Sequence, residues 1–136
     1  MNDPKEAKKL SRNAIYAKII MDVNEECSHD LRKLRSTYST LGGMMQKIFK
    51  LLLRRGRSKP LVIAERLERK ISKVETQLKY LEQIYNILSR DRDEYYVNDQ
   101  LRPMWENIVD VTKRKAETLR YPDKIDLSTL IDELIY

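Results

Sequence analysis

The side chains best suited to chemistry are a lone cysteine, a lone histidine and a short acidic run. Cys27 and His29 lie two residues apart, and both types of side chain bind metal ions. No second cysteine or histidine exists to complete a zinc site. Asp91 and Asp93 imitate the start of a calcium-binding loop, but the twelfth position of that loop is Arg102 instead of glutamate. The sequence therefore predicts neither a metal site nor a cofactor.

Patterns typical of catalysis are also missing from the sequence. A serine triad would depend on His29, and no serine stands in a Gly-x-Ser-x-Gly motif. No glycine-rich loop for binding phosphate occurs. Paired carboxylates such as Asp132 and Glu133 lie in charged segments, unlike the apolar surroundings of catalytic acids. We predict that the chain is not an enzyme, and we assign no catalytic residues.

Basic residues form the most informative pattern, because one part of the chain holds most of them. The formal net charge is +6, and residues 1–75 contain 18 Lys and Arg against 9 Asp and Glu. On two predicted helices, 30–55 and 60–89, these residues form outward stripes that meet at the turn 54–59. We predict that this basic ridge binds nucleic-acid phosphates without sequence specificity. Its members are Lys47, Lys50, Arg54, Arg55, Arg57, Lys59, Arg66, Arg69, Lys70 and Lys73.

Other interpretations of the ridge stay open. Lys and Arg solvate the outward faces of many helical proteins, so the ridge could serve solubility alone. Residues 44–55 are basic and amphipathic, as in helices that lie on anionic membranes, although a core helix explains them better. The sequence shows no zinc-finger spacing, no RNA-binding aromatic strand and no compact helix–turn–helix signature. It therefore gives no support to base-specific recognition.

Composition favours helices over sheets. Only 3 glycines and 4 prolines occur among 136 residues, too few for the many turns of a β-sandwich or barrel. No run approaches the ~20 apolar residues of a membrane-spanning helix, and the first residues do not resemble a secretory signal. We expect the chain to be intracellular, in the cytoplasm of a host, or part of a virion.

Apolar residues three and four apart predict the elements of one domain over residues 1–136. The fold class is all-α, an antiparallel bundle of four main helices plus a short amphipathic C-terminal helix. Gly56 ends the second helix, and Gly42-Gly43 inside that helix is either a kink or a close helix crossing. The predicted helices are 4–26, 30–55, 60–89, 99–120 and 127–135.

The C-terminal helix has one apolar face that something must cover. A neighbouring subunit or another protein such as a polymerase could dock there, with the basic ridge against an acidic protein surface, so self-association or a protein partner is the alternative to nucleic acid. The predicted interface residues are Leu127, Leu130, Ile131, Leu134 and Ile135.

The overall layout resembles the four-helix proteins of spindle-shaped and two-tailed archaeal viruses. The resemblance rests on a small basic helical bundle with one cysteine and a hydrophobic terminal helix. Its most distinctive element is the turn Arg54-Arg55-Gly56-Arg57-Ser58-Lys59. The resemblance implies either a virion coat protein or an inhibitor that docks on host RNA polymerase, and neither is an enzyme. It implies no functional residue by position.

Overall fold

A computed structural model describes residues 4–118 and 126–136, and most of these are helical. The chain divides into two compact units, Met1–Arg35 with Glu106–Tyr136, and Ser36–Trp105. The prediction of mainly α structure is confirmed, whereas the two-stranded sheet was not predicted, and the single-domain prediction stays a prediction. The described elements are α1 (Pro4–Glu26), α2 (Ser28–Ser39), α3 (Gly43–Arg55), α4 (Pro60–Leu67), α5 (Ile71–Gln83), β1 (Leu88–Asp91), β2 (Glu94–Val97), α6 (Arg102–Thr118) and α7 (Leu127–Ile135).

In the first unit, the C-terminal helix packs against the N-terminal one. α7 begins at Asp126, whose carboxylate accepts a hydrogen bond from the backbone N–H of Thr129 at 3.3 Å. Near its end, the guanidinium of Arg35 donates to the Leu134 carbonyl at 2.5 Å and to Asn24 Oδ1 at 2.8 Å. These bonds satisfy polar groups at both ends of a short helix, which isolated sequence propensity would leave marginal.

The second unit is built from three helices and a β-hairpin. Ile48, Phe49 and Leu52 of α3 are fully buried, as are Val74 and Leu78 of α5. α4 contributes Ile63 and Ala64 to this core, and the hairpin contributes Leu88, Tyr95 and Val97. Apolar burial of this kind supplies ~1.5–3 kcal/mol for each large side chain, so α3, α4, α5 and the hairpin stabilise one another.

The predicted helix 30–55 is two helices. α2 ends at Ser39, and α3 starts after Gly42, whose backbone is extended with φ −73° and ψ 169°. A Cβ added at Gly42 or Gly43 would meet no atom within 4 Å, so the glycines mark a chain break and not a close crossing. The predicted end at Gly56 is confirmed, since its N–H bonds the Leu52 carbonyl at 2.9 Å.

The prediction of one continuous helix over residues 60–89 is wrong. α4 ends at Leu67, because Glu68 adopts the left-handed conformation with φ 54° and ψ 49°. α5 starts at Ile71, and Leu88 and Ser89 lie in β1. The turn has three residues and keeps Leu67 and Ile71 four apart, so the apolar spacing runs through the break and conceals it.

The predicted bounds of the first and last helices agree with the structure. Helices 4–26 and 127–135 are confirmed as α1 and α7. The fourth helix starts later than predicted, at Arg102 instead of residue 99, and its predicted end at 120 lies outside the described residues.

The break at Glu68 can be tested by adding glycine. A left-handed residue with a Cβ is strained by ~1–2 kcal/mol, so Glu68→Gly should raise the free energy of unfolding by about 0.5–1 kcal/mol. Glu75→Gly, the matched change inside α5, should lower it by about 1 kcal/mol. Urea unfolding followed by circular dichroism measures both. Equal losses in the two variants would indicate a continuous helix.

Candidate nucleic-acid interface

α4 and α5 form a helix–turn–helix. The turn Glu68–Lys70 joins them, and the Arg69 N–H bonds back to the Ala64 carbonyl at 3.0 Å. The Lys70 carbonyl accepts from the N–H of Lys73 and of Val74, which starts α5. Two helices joined by a turn of three or four residues are typical of this motif, and the turn often contains a glycine. Here the turn has glutamate at the left-handed position, so the usual sequence signal is missing.

A two-stranded hairpin follows the helix–turn–helix. β1 and β2 pair antiparallel from Leu88↔Val97 to Asp91↔Glu94. Ser58, just before α4, forms an isolated antiparallel bridge with Tyr95, since its N–H and carbonyl bond Tyr95 at 3.0 and 2.9 Å. We call the hairpin that follows the helix–turn–helix, residues 88–97, the wing. The two-residue turn at the tip of the wing has Arg92 at φ 60°.

Asn98 closes the base of the wing. Its backbone N–H bonds the Ile87 carbonyl at 3.0 Å, and its side-chain amide donates to the Asn86 carbonyl at 2.8 Å. Its side-chain oxygen accepts from the N–H groups of Gln100 and Leu101, both at 3.1 Å. The amide therefore joins the end of α5, the wing and the start of α6.

One face of α5 points outward with polar side chains at every turn. Val74, Leu78 and Leu81 bury the opposite face. The outward positions follow spacings of four, three and four, which align residues along one side of a helix. All four are exposed, all can hydrogen-bond, and none is a carboxylate. This reading face comprises Ser72, Thr76, Lys79 and Gln83.

Side chains beside the reading face differ on its two flanks. Lys73 and Tyr80 lie on one flank, and Tyr80 is 44% exposed. Glu75 and Glu82 lie on the other, seven residues apart. The helix can thus present hydrogen-bonding groups and a cation to an anionic ligand, provided that its acidic flank is turned away.

The ten residues of the predicted ridge do not form one stripe, because the helix that would carry them is broken. Lys47, Lys50, Arg54 and Arg55 lie on α3, and Arg66 lies on α4. Arg69 and Lys70 lie in the turn, and Lys73 is on α5. Four of these residues lie around the start of α5, and all four are exposed: Arg66, Arg69, Lys70 and Lys73.

Arg57 and Lys59 are engaged by the wing. The Arg57 guanidinium donates to Asp91 Oδ2 at 2.7 Å and lies 4.3 Å from the centre of the Tyr96 ring. The hydrogen bond to Asp91 raises the pKa of Arg57 further above its usual range. Lys59 Nζ lies 3.6 Å from Asp93 Oδ2.

The predicted protein interface on α7 is largely covered. Leu130, Leu134 and Ile135 are buried, whereas Leu127 and Ile131 are partly accessible. The three buried side chains have little surface to offer a partner, so docking on α7 stays a prediction for the other two.

Neither metal nor membrane chemistry is indicated by the described part of the chain. Residues 4–118 and 126–136 hold no group of three or more His, Cys, Asp or Glu side chains arranged for a metal ion. Within the same ranges, no helix is long and apolar enough to cross a membrane. Cys27 is buried and accepts a 3.8 Å hydrogen bond from the Asn107 amide, and burial raises the pKa of its thiol.

Sequence reasoning missed the reading face and the wing. Ser72, Thr76 and Gln83 carry no charge, so a search for basic residues passes over them. The wing left one signal in the sequence, the alternation of the buried Tyr95 and Val97 around the partly exposed Tyr96, which is typical of a strand.

Comparisons with known proteins assign no family. No protein-family model and no curated protein matches the chain. Among solved structures, the YusO protein from Bacillus subtilis aligns over 97% of this chain and 92% of its own, with 20% identity and a TM-score of 0.42. Likeness at this level indicates neither family nor function.

Asn98 gives a direct test of the closure of the wing. Asn98→Ala removes the three hydrogen bonds of the side chain, to Asn86, Gln100 and Leu101, and we expect a loss of about 1–2 kcal/mol in the free energy of unfolding. Asn98→Asp keeps the acceptor oxygen, so its loss of stability should be less than half of the loss in Asn98→Ala. Denaturant unfolding measures both variants, and an Asn98→Ala protein as stable as the wild type would contradict the closure.

Proposed function

We propose that this chain binds duplex DNA, with α5 in the major groove and the wing beside it. The observation that carries the proposal is the reading face of α5, an acid-free stripe on the second helix of a helix–turn–helix. Serine, threonine, lysine and glutamine side chains are those that hydrogen-bond base edges and phosphates. A stripe of this composition has no role in the core, because the opposite face of the helix already fills it.

The dimensions of α5 suit a major groove. A helix with its side chains is ~10–12 Å across, and the major groove of B-DNA is ~12 Å wide. In known helix–turn–helix complexes, the first residues of the second helix contact bases, and the first helix crosses the backbone. By that geometry Ser72 and Thr76 would meet base edges, whereas Lys79 and Gln83 would lie farther along the groove.

Cations around the start of α5 would supply the phosphate contacts. Arg66, Arg69, Lys70 and Lys73 are exposed on α4, the turn and the first turn of α5. On the wing, Arg90 and Arg92 are exposed as well. Contacts of this kind give salt-dependent affinity and fix the position of the helix on the duplex.

This proposal keeps phosphate binding from the sequence prediction and adds base contacts to it. It needs neither catalysis nor a cofactor. A coat protein or a polymerase inhibitor, as the viral resemblance implies, stays a prediction. The burial of Leu130, Leu134 and Ile135 gives the docking alternative less surface than the sequence suggested.

Salt dependence tests the phosphate contacts. Lys70→Gln and Lys73→Gln should each weaken binding to a labelled random duplex of about 30 base pairs, and each should reduce the slope of log K against log salt by about 0.9. Lys113→Gln, the same change on an exposed α6 position, should alter neither quantity. Fluorescence anisotropy at several salt concentrations measures them. Equal effects of all three variants would show a response to net charge alone.

Base contacts call for a different readout. Selection from a random duplex library should enrich a preferred sequence for the wild-type chain, and Thr76→Ala should relax the preference at one or two positions. A mismatch typically costs ~1–3 kcal/mol, so the preferred and relaxed bases should differ about tenfold or more for the wild type. If the wild type enriches no sequence, binding is non-specific, as the sequence alone predicts.

A further inference from the structure

The wing carries a charge that is wrong for its proposed place beside DNA. Residues 88–97 contain Arg90 and Arg92 against the three carboxylates of Asp91, Asp93 and Glu94, a net charge of −1. Four of these five residues are exposed, and Glu94 is partly exposed. A net-negative hairpin is repelled by phosphates, so on its own sequence the wing would weaken binding.

Two cations from outside the wing offset this charge. Arg57 lies 2.7 Å from the Asp91 carboxylate, and Lys59 lies 3.6 Å from the Asp93 carboxylate. They flank Ser58, which forms an isolated β-bridge with Tyr95. Side chains two apart on extended backbone share a face, which explains why both cations reach the same hairpin. With them the local charge becomes +1.

Arg57 is the more firmly held of the two. It donates a hydrogen bond to Asp91, and its guanidinium also lies over the Tyr96 ring at 4.3 Å. A planar guanidinium is suited to both interactions at once. A move of Arg57 to a phosphate would break the bond to Asp91 and return an uncompensated carboxylate to the wing.

From these contacts, and resting on the proposed function, we propose that Arg57 and Lys59 are counter-ions of the wing and not phosphate contacts. They neutralise Asp91 and Asp93, so that Arg90 and Arg92 can approach the DNA backbone. Both were predicted from sequence as phosphate ligands, and the inference gives them a different role. Arg57 thus acts on DNA through Asp91, as a positioning residue.

Paired substitutions separate the two roles. Arg57→Gln should weaken binding to a random duplex about fivefold, the size of an exposed charge pair. Adding Asp91→Asn removes the stranded carboxylate and should restore affinity to within about twofold of the wild type. A direct phosphate contact predicts instead that the double variant stays as weak as Arg57→Gln, with a salt slope lower by about 0.9.

Asp99 supplies the matched control. It is an exposed carboxylate of the same unit, and Asp99→Asn changes the net charge by the same amount. Asp99→Asn combined with Arg57→Gln should not restore binding. If it restores binding as well as Asp91→Asn does, net charge alone explains the effect and the counter-ion role is wrong.

A measurement without DNA distinguishes failure of this inference from failure of the proposed function. In the free protein, the NMR signals of the Arg57 guanidinium should shift in Asp91→Asn and stay unchanged in Asp99→Asn. A wild type that shows this pairing but binds no duplex at low salt would overturn DNA binding and with it the wing's role there. Guanidinium signals that do not change in Asp91→Asn would show that Arg57 and Asp91 are not paired.

Discussion

Glu68 holds the left-handed backbone conformation on which the second unit depends. Its φ of 54° ends α4 after eight residues and turns the chain so that α5 starts three residues later. A residue with a Cβ is strained there by ~1–2 kcal/mol. Burial of Val74, Leu78 and Leu81 on one side of α5 offsets that strain, because a straight continuation of α4 would not place those side chains in the core with Ile48 and Leu52.

Two other non-glycine residues have the left-handed backbone conformation, one before the wing and one at its tip. Asn86 has φ 57° after α5, and Arg92 has φ 60° at the tip. Asparagine tolerates this conformation well, and arginine tolerates it less. Both strained positions lie beside strong local bonding, the Asn98 amide at the base and the ladder from Leu88↔Val97 to Asp91↔Glu94. The wing is therefore fixed by its pairing and not by turn propensity.

Sequence reasoning correctly predicted elements whose ends are marked by glycine or proline, or whose apolar residues have regular helical spacing. Gly56 and Pro60 mark a helix end and a helix start, and α1 and α7 have the predicted bounds. It failed where non-glycine residues turn the chain. Glu68 and Arg92 give no turn signal, and the spacing from Leu67 to Ile71 continues through the break. The basic residues were visible as a group, but their separation into a set around the start of α5 and a set bound to the wing depends on contacts such as Arg57 with Asp91, 34 positions apart.

Chemical-shift changes in ¹⁵N-labelled protein on addition of a short duplex test the central claim most directly, because they report each residue separately. The DNA-binding account predicts that the largest shifts fall on residues 66–83 and 88–97, with the reading face of α5 affected more than its buried face. Shifts confined to α1, α6 and α7, or no shifts at low salt, would contradict it.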